Sequence, residues 1–252
     1  GGIIDVFVEC LDLAWYRAGR EVVVSEKPGA IATVVRGSDD KLGGRMIITE
    51  DQIVQGALGE KLDKIILQTS RHARHPTRLS ISEGLEIFID ILRPSPALII
   101  VGGAHIAGAL ARLAAILGYR TVIIDPRRAF LNESRFPAVD RLIPDWPERA
   151  FAEYPINADS AVVTLSHDPK IDDPALRLAL SSDAFYIGAL GSRKTNAERR
   201  RRLAAAGFAE AQLDRIHAPV GLDIGADTPE EIALAIMAEI VAAYRRRMSE
   251  PD

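Results

Sequence analysis

The sequence predicts an α/β protein: a C-terminal Rossmann-like parallel sheet with helices on both faces, preceded by a smaller strand-rich α+β domain. Three observations carry this. From Ala97 onward, apolar runs alternate with helical stretches, the rhythm of βαβ units. Before that, β-branched runs alternate with Gly, Asp and Ser punctuation. Between the two, Arg93-Pro94-Ser95-Pro96 stiffens the chain and removes backbone donors. The expected domains are therefore 1–95 and 96–252.

In the first domain the expected strands are Ile3–Val8, Glu21–Val24, Ala30–Val35, Arg45–Thr49 and Leu85–Leu92. Gly2-Ile-Ile-Asp-Val-Phe-Val-Glu9 is echoed by Gly84-Leu-Glu-Ile-Phe-Ile-Asp90, which reads as two neighbours in one sheet. The polar, basic stretch Arg71–Arg78, with His72 and His75, reads as a mobile loop. In the second domain a strand over Ala97–Val101 leads through Gly102-Gly103 to a helix over Ala104–Leu117, then Gly118 and a strand over Tyr119–Ile124. Further strands are expected at Ser160–Leu165, Ala184–Ala189 and Arg215–Pro219, with helices near Asp173–Ser181 and Lys194–Ala206. The last helix opens on Thr228-Pro229-Glu230-Glu231, where Thr caps, Pro suits the first position and Glu231 closes a capping box. It runs on through Ile232, Ile236 and Ile240 to Arg245–Arg247, whose cations suit the helix C-terminus.

Composition narrows the function. Of 252 residues, 48% are hydrophobic and 26% charged, ordinary globular values that exclude a mostly disordered chain. A net charge of −4 argues against a nucleic acid or an anionic membrane as partner, and Arg199–Arg202 and Arg245–Arg247 read as solvated helix faces. No apolar run approaches the roughly 20 residues a spanning helix requires. A single cysteine, Cys10, supports neither an intrachain disulfide nor a cysteine-rich metal site, so a cytoplasmic protein is expected. The chain opens on Gly1 rather than Met, which reads as a segment of a longer polypeptide.

Four segments carry candidate chemistry. Gly102-Gly103-Ala104-His105-Ile106-Ala107 sits between strand and helix, with Asp125 ending the next strand 23 residues after Gly102. That is the place and spacing of a dinucleotide fingerprint, in which helix-start amides hold phosphate and the acid bonds a ribose. The match is partial, because Ala104 and Ala107 put Cβ atoms where the fingerprint has glycine. Asp125 is followed by Arg127 and Arg128, which serve equally to receive a phosphate or to pair with the acid. Ser166 and His167 end the strand after it and face the crevice where α/β proteins bind ligands. Being adjacent, they point to opposite sides and make no nucleophile–base pair. His167 with Asp168, Asp172 and Asp173 matches no standard metal spacing, so no metal is expected and the acids read as helix caps. Gly191-Ser192-Arg193-Lys194 opens a basic helix as an anion cradle, without the order of a P-loop. The loop Gly221-Leu222-Asp223-Ile224-Gly225-Ala226-Asp227 places Asp223 as an acceptor for ligand donors and Asp227 at the start of the last helix.

Together these segments resemble the XdhC/CoxF family, maturation factors of xanthine and carbon monoxide dehydrogenases. The residues that carry the resemblance are Gly-Gly-Ala-His-Ile-Ala (102–107), Ile-Asp-Pro-Arg (124–127), Ser-His-Asp-Pro-Lys-Ile-Asp-Asp-Pro-Ala-Leu (166–176), Tyr-Ile-Gly-Ala-Leu-Gly-Ser-Arg-Lys (186–194) and Gly-Leu-Asp-Ile-Gly-Ala-Asp-Thr-Pro-Glu-Glu-Ile (221–232). The first nine residues resemble the end of the family's upstream domain, where Cys-Gly-Gly meets a strand. That cysteine would precede Gly1, and Cys10, at the far end of the strand, does not replace it. The resemblance implies binding of molybdenum cofactor, as molybdopterin or its cytosine dinucleotide form, and protection while its sulfido ligand is installed. It further implies transfer into an apo-molybdenum hydroxylase, with a cofactor sulfurase as second partner, and leaves homo-oligomerisation open. Pterin phosphate or pyrophosphate suits the amides at Gly103–His105 and the Gly191–Lys194 cradle, and pterin ring donors suit Asp223 or Asp125. Composition and spacing alone leave standing an NAD(P)-binding oxidoreductase or nucleotide-dependent sensor, and a scaffold that acts through protein contact. No catalytic residue is assigned, and turnover by the chain itself is not expected.

Overall fold

A computed structural model describes residues 6, 8, 10–25, 27–49, 52–137 and 139–249. The chain divides into two units, Gly1–Pro94 with Met248–Asp252, and Ser95–Arg247. In the first unit Asp12 caps helix α1 (Leu13–Val24), its carboxylate accepting from the amides of Ala14 at 2.9 Å and Trp15 at 3.2 Å. Strands β1 (Gly29–Arg36), β2 (Arg45–Thr49) and β3 (Gln52–Gly56) follow, then helix α2 (Glu60–His72) and strands β4 (Thr77–Ser82) and β5 (Leu85–Leu92). The strands form one antiparallel sheet in the order β3-β2-β1-β5-β4. Alternation along β1 buries Ala30, Ala32 and Val34, which pack with Met46, Ile48, Ile87, Ile89 and Ile66 of α2.

Two expectations need correction here, and a third lies outside the described residues. Glu21–Val24 is the last turn of α1, not a strand. The cap at Asp12 starts a helix whose hydrogen bonds outweigh the β-propensity of three valines, and Val22 is buried. Arg71–Arg78 is not one mobile loop, because Arg71 and His72 close α2 and Thr77 and Arg78 open β4. The strand expected at Ile3–Val8 falls almost wholly outside the described residues. Its expected neighbour is β5, both of whose edges are filled by β1 and β4.

The second unit is the expected Rossmann-like half. Its elements are β6 (Ala97–Val101), α3 (His105–Ile116), β7 (Arg120–Ile124), a 3-10 turn (Arg128–Phe130), β8 (Arg141–Ile143), α4 (Pro147–Glu153) and β9 (Ser160–Thr164). Then come α5 (Pro169–Leu180), β10 (Tyr186–Ala189), α6 (Arg193–Ala205), α7 (Glu210–Leu213), β11 (Ile216–His217) and α8 (Pro229–Ser249). All six strands are parallel, in the order β11-β10-β9-β6-β7-β8. β6 and β9 are buried along their whole length because both faces are covered, which is why they read as unbroken apolar runs. Leu98 and Ile100 pack with α3 and α8, whereas Ile99 and Val101 pack with α4, α5 and α6. The chain moves outward from β6 to β8, returns to β9 beside β6, and moves outward again. The reversal lies between β6 and β9, and ligands bind outside the carboxyl ends of the strands at such a point. Among the described residues no helix is long and apolar enough to cross a membrane.

Candidate functional site

Parallel pairing brings the turns after β6, β9, β10 and β11 to one edge of the sheet. At the reversal the two central exits touch backbone to backbone. Gly102 has φ +112°, and a Cβ there would stand 2.6 Å from the amide nitrogen of Ser166. A Cβ on Gly103 would stand 2.9 Å from the carbonyl oxygen of Phe130. The two fingerprint glycines thus let the strand exits close on each other. Ala104 is the N-cap of α3 and offers no side-chain cap, so the first-turn amides at His105 and Ile106 rely on water or a ligand. His105 is exposed and Ala107 is fully buried.

Asp125 is placed differently from a ribose acceptor. It is fully buried, and one carboxylate oxygen accepts from the Gly103 amide at 2.9 Å and Arg127 Nη2 at 2.8 Å. The other accepts from the Arg127 amide and from Arg127 Nε, both at 2.9 Å. Burial pushes this carboxyl up, but the bonds from Arg127 and Gly103 outweigh it and hold the group below the ordinary carboxylate range. Its acceptor capacity is engaged within the chain, where it ties the exit of β7 to the glycine turn. Arg127 also lies over the Phe130 ring, 4.2 Å from its centroid.

The β9 exit is locked by a network that sequence reasoning misses. Ser166 Oγ donates to Asp172 Oδ1 at 2.6 Å and accepts from the Asp168 amide at 3.1 Å. Asp172, 1% exposed, faces Arg199, 4% exposed, with Nη2 to Oδ2 at 3.4 Å. Arg199 also donates to the Leu190 carbonyl at 3.0 Å and to Asn196, whose amide nitrogen donates to the Gly191 carbonyl at 2.9 Å. Burial pushes the Asp172 carboxyl up and the Arg199 guanidinium down, since water is withdrawn from both charges. The exits of β9 and β10 are thereby fastened through α5 and α6. Arg199–Arg202 is accordingly not a solvated face: Arg199 is buried, Arg200 pairs with Glu210 and Asp214, and Arg202 pairs with Asp173. At the far end of α8, Arg247 likewise pairs with Asp159 at 2.9 Å. Asp168 caps α5, as its sequence neighbourhood suggests.

Between the pinned Ser166 and the cap Asp168, His167 stands exposed at φ +62°, unique among non-glycine residues in the described chain. Such a conformation persists only where its surroundings over-determine it. Ser192 caps α6 by accepting from the Thr195 amide at 3.2 Å, while Arg193 and Lys194 project into solvent at the helix start. Gly221 sits against α8, its amide donating to Glu239 at 2.8 Å. Glu239 also accepts from Tyr186 Oη at 2.5 Å and Nδ1 of His217 at 2.9 Å. Burial pushes Glu239 up, and the bonds from Tyr186, His217 and Gly221 more than reverse this. Beyond this anchored root Asp223 is exposed between Leu222, 45% exposed, and Ile224, 53% exposed. The capping box forms, with Glu231 accepting from the amides of Thr228 at 3.0 Å and Asp227 at 2.9 Å.

The family match falls in this same half of the chain. Residues 98–240 match the family described as "XdhC Rossmann domain". A probable xanthine dehydrogenase subunit from Bacillus subtilis is 35% identical over 160 residues, 64% of this chain and 46% of that protein. "Molybdenum cofactor insertion chaperone PaoD" from Escherichia coli is 33% identical over 175 residues, 69% of this chain and 48% of that protein. The chain thus spans about half the length of these relatives. A crystal structure described as a xanthine dehydrogenase from Bacillus halodurans superposes with a TM-score of 0.56 at 21% identity, covering 93% of this chain and 97% of that one, a likeness of fold.

Proposed function

The chain belongs to the XdhC family, and from that premise we propose that it binds molybdenum cofactor as cargo and hands it to a molybdenum hydroxylase of the xanthine dehydrogenase type. The observation that supports this best is the state of Asp125. A nicotinamide dinucleotide held at the fingerprint would look to that carboxylate for its ribose hydroxyls, and both oxygens already serve Gly103 and Arg127. What the same edge offers outward is suited to an anionic, flat, donor-rich ligand. His105, Arg193 and Lys194 supply donors for phosphate, joined by the first-turn amides of α3 and α6. Asp223 supplies an acceptor for pterin N–H groups, with Leu222 and Ile224 beside it as apolar cover.

Under this reading each group has a task. The amides at Gly103–His105 and the Gly191–Lys194 turn hold phosphate, or pyrophosphate in the cytosine dinucleotide form. Ser166 and Asp172 hold the β9 exit so that His167 faces the ligand, and Asp223 orients the pterin. The cargo brings the molybdenum chemistry, and the chain supplies binding and exclusion of water while the sulfido ligand is installed by a sulfurase. The name of the Escherichia coli relative favours the same role. Anaerobic calorimetry with molybdenum cofactor and, separately, with NAD(P)H tests it. Saturable cofactor binding without NAD(P)H oxidation is the expected result. Steady NAD(P)H turnover that disappears in Asp125→Ala would overturn it.

A further inference from the structure

The carboxyl edge of the sheet carries one flat group to which the cofactor reading gives no ligand. Arg127, just past the exit of β7, is held to Asp125 through Nε at 2.9 Å and Nη2 at 2.8 Å, which fixes the plane of its guanidinium. The half-buried Phe130 ring lies against that plane, its centroid 4.2 Å from the guanidinium carbon. The Arg127 side chain is nevertheless 38% exposed. Phe130 takes one face and Asp125 two of the nitrogens, so what remains open is the other face and Nη1. Charge decides what such a face suits. Asp125 matches the cation at contact, and the carboxylates of Asp168 and Asp172 lie within electrostatic reach. A phosphate therefore gains little here, whereas a neutral aromatic ring stacks well on a fixed guanidinium. Position decides which ring. The order β11-β10-β9-β6-β7 puts Arg127 four strand spacings from the exit of β11, which leads to Asp223, roughly 19 Å at about 4.8 Å per strand. The phosphate turns after β6 and β10 lie between them. A pterin oriented by Asp223, with phosphate at those turns, leaves the β7 end to whatever follows the phosphate.

We propose that Arg127 and Phe130 form a nucleobase platform, with the base stacked on the open face of the guanidinium, so that the chain selects the dinucleotide form of the cofactor over the form that ends in one phosphate. The identity of the whole ligand rests on the cofactor reading, but the platform is tested without it. Cytidine monophosphate and ribose 5-phosphate share sugar and phosphate and differ in the base, so calorimetry of the full chain with each isolates the stacking. The dissociation constant for cytidine monophosphate should lie about tenfold below that for ribose 5-phosphate. Phe130→Leu removes the ring behind the guanidinium, and Arg127→Lys keeps the charge beside Asp125 but removes the plane. Each should bring the two constants together, with little change for ribose 5-phosphate. A lowered melting temperature with the tenfold ratio retained in both variants would make the two residues supports of their loop and overturn the proposal. Equal constants in the parent, or no saturable binding of cytidine monophosphate, would overturn it as well, and the cofactor reading survives that result if molybdenum cofactor still binds. A base-dependent ratio lost in both variants, in a chain that does not bind molybdenum cofactor, would keep the platform and sink the cofactor reading. The Arg127 Nε–H resonance separates the two rings: movement with cytidine monophosphate is expected, and movement with 6-hydroxymethylpterin alone would hand the platform to the pterin and refute the base assignment.

Discussion

Replacing Arg199 by methionine keeps the length of the side chain and removes its charge. Asp172, 1% exposed, would then keep its bonds from Ser166, whose hydroxyl donates at 2.6 Å, and the Leu190 carbonyl would lose its side-chain donor. Removing one member of a buried pair costs about 3–5 kcal/mol. The 3.4 Å separation of Nη2 and Oδ2 and the retained Ser166 bond place this case at the lower end, about 3 kcal/mol. At roughly 2–4 °C per kcal/mol, the melting temperature should fall by about 6–12 °C at neutral pH. The sign of the pH dependence follows from the proton balance. Burial already pushes the Asp172 carboxyl up, and loss of Arg199 removes a charge that pulls it back. The folded variant therefore binds a proton that the unfolded chain, with its carboxyl near pH ~3.9, has released, and its stability falls as pH rises through that interval. Thermal melts followed by circular dichroism should show a larger deficit near pH ~7.5 than near pH ~5. Adding Asp172→Leu should recover most of the loss and abolish that slope. A variant melting within about 2 °C of the parent at neutral pH, or a deficit that does not shrink on acidification, would refute the buried pair.

Gly102→Ala combines φ +112° with a Cβ 2.6 Å from the Ser166 nitrogen. Backbone strain and overpacking together should cost about 2–5 kcal/mol in urea unfolding, and a loss below about 1 kcal/mol would contradict the close approach of the strand exits. Asp125 is held below its ordinary value, so its contribution to stability is present above the unfolded value near pH ~3.9 and lost as pH falls through the lower folded value. Asp125→Asn should lower stability at neutral pH and flatten the acid limb of the stability curve, and an unchanged limb would mean that the carboxylate is not paired as described. Asp223→Ala should leave the melting temperature nearly unchanged and weaken cofactor binding by roughly 0.5–3 kcal/mol. A marked fall in melting temperature with unaltered affinity would instead make Asp223 a support of its own loop.

The Rossmann half is legible in the sequence because its signals are local. Strands covered on both faces must be continuously apolar, as in Ala97–Val101, and the helices between them carry their own caps at Asp168, Ser192 and Thr228. In the first unit Ala30–Val35, Arg45–Thr49 and Leu85–Leu92 are readable for the same reason. Val22–Val24 reads as strand because three β-branched residues give a stronger local signal than a capping aspartate ten residues upstream of Val22. Helix α2 leaves little trace because it is mostly polar and buries Ile66 alone.

The candidate site divides along the same line. From the sequence alone come the turns that meet at one edge of the sheet, since parallel βαβ order brings every strand exit to the same side. Which charges face one another there is decided only by the tertiary structure. Asp125 has the spacing of a ribose acceptor, yet its oxygens go to Gly103 and Arg127. Nothing in a run of four arginines marks Arg199 as the one that turns inward to Asp172, 27 residues earlier in the chain. Periodicity and caps are set by neighbours within a few residues. Ion pairing, burial and a left-handed His167 depend on which distant segments packing brings together, and on the water that packing removes.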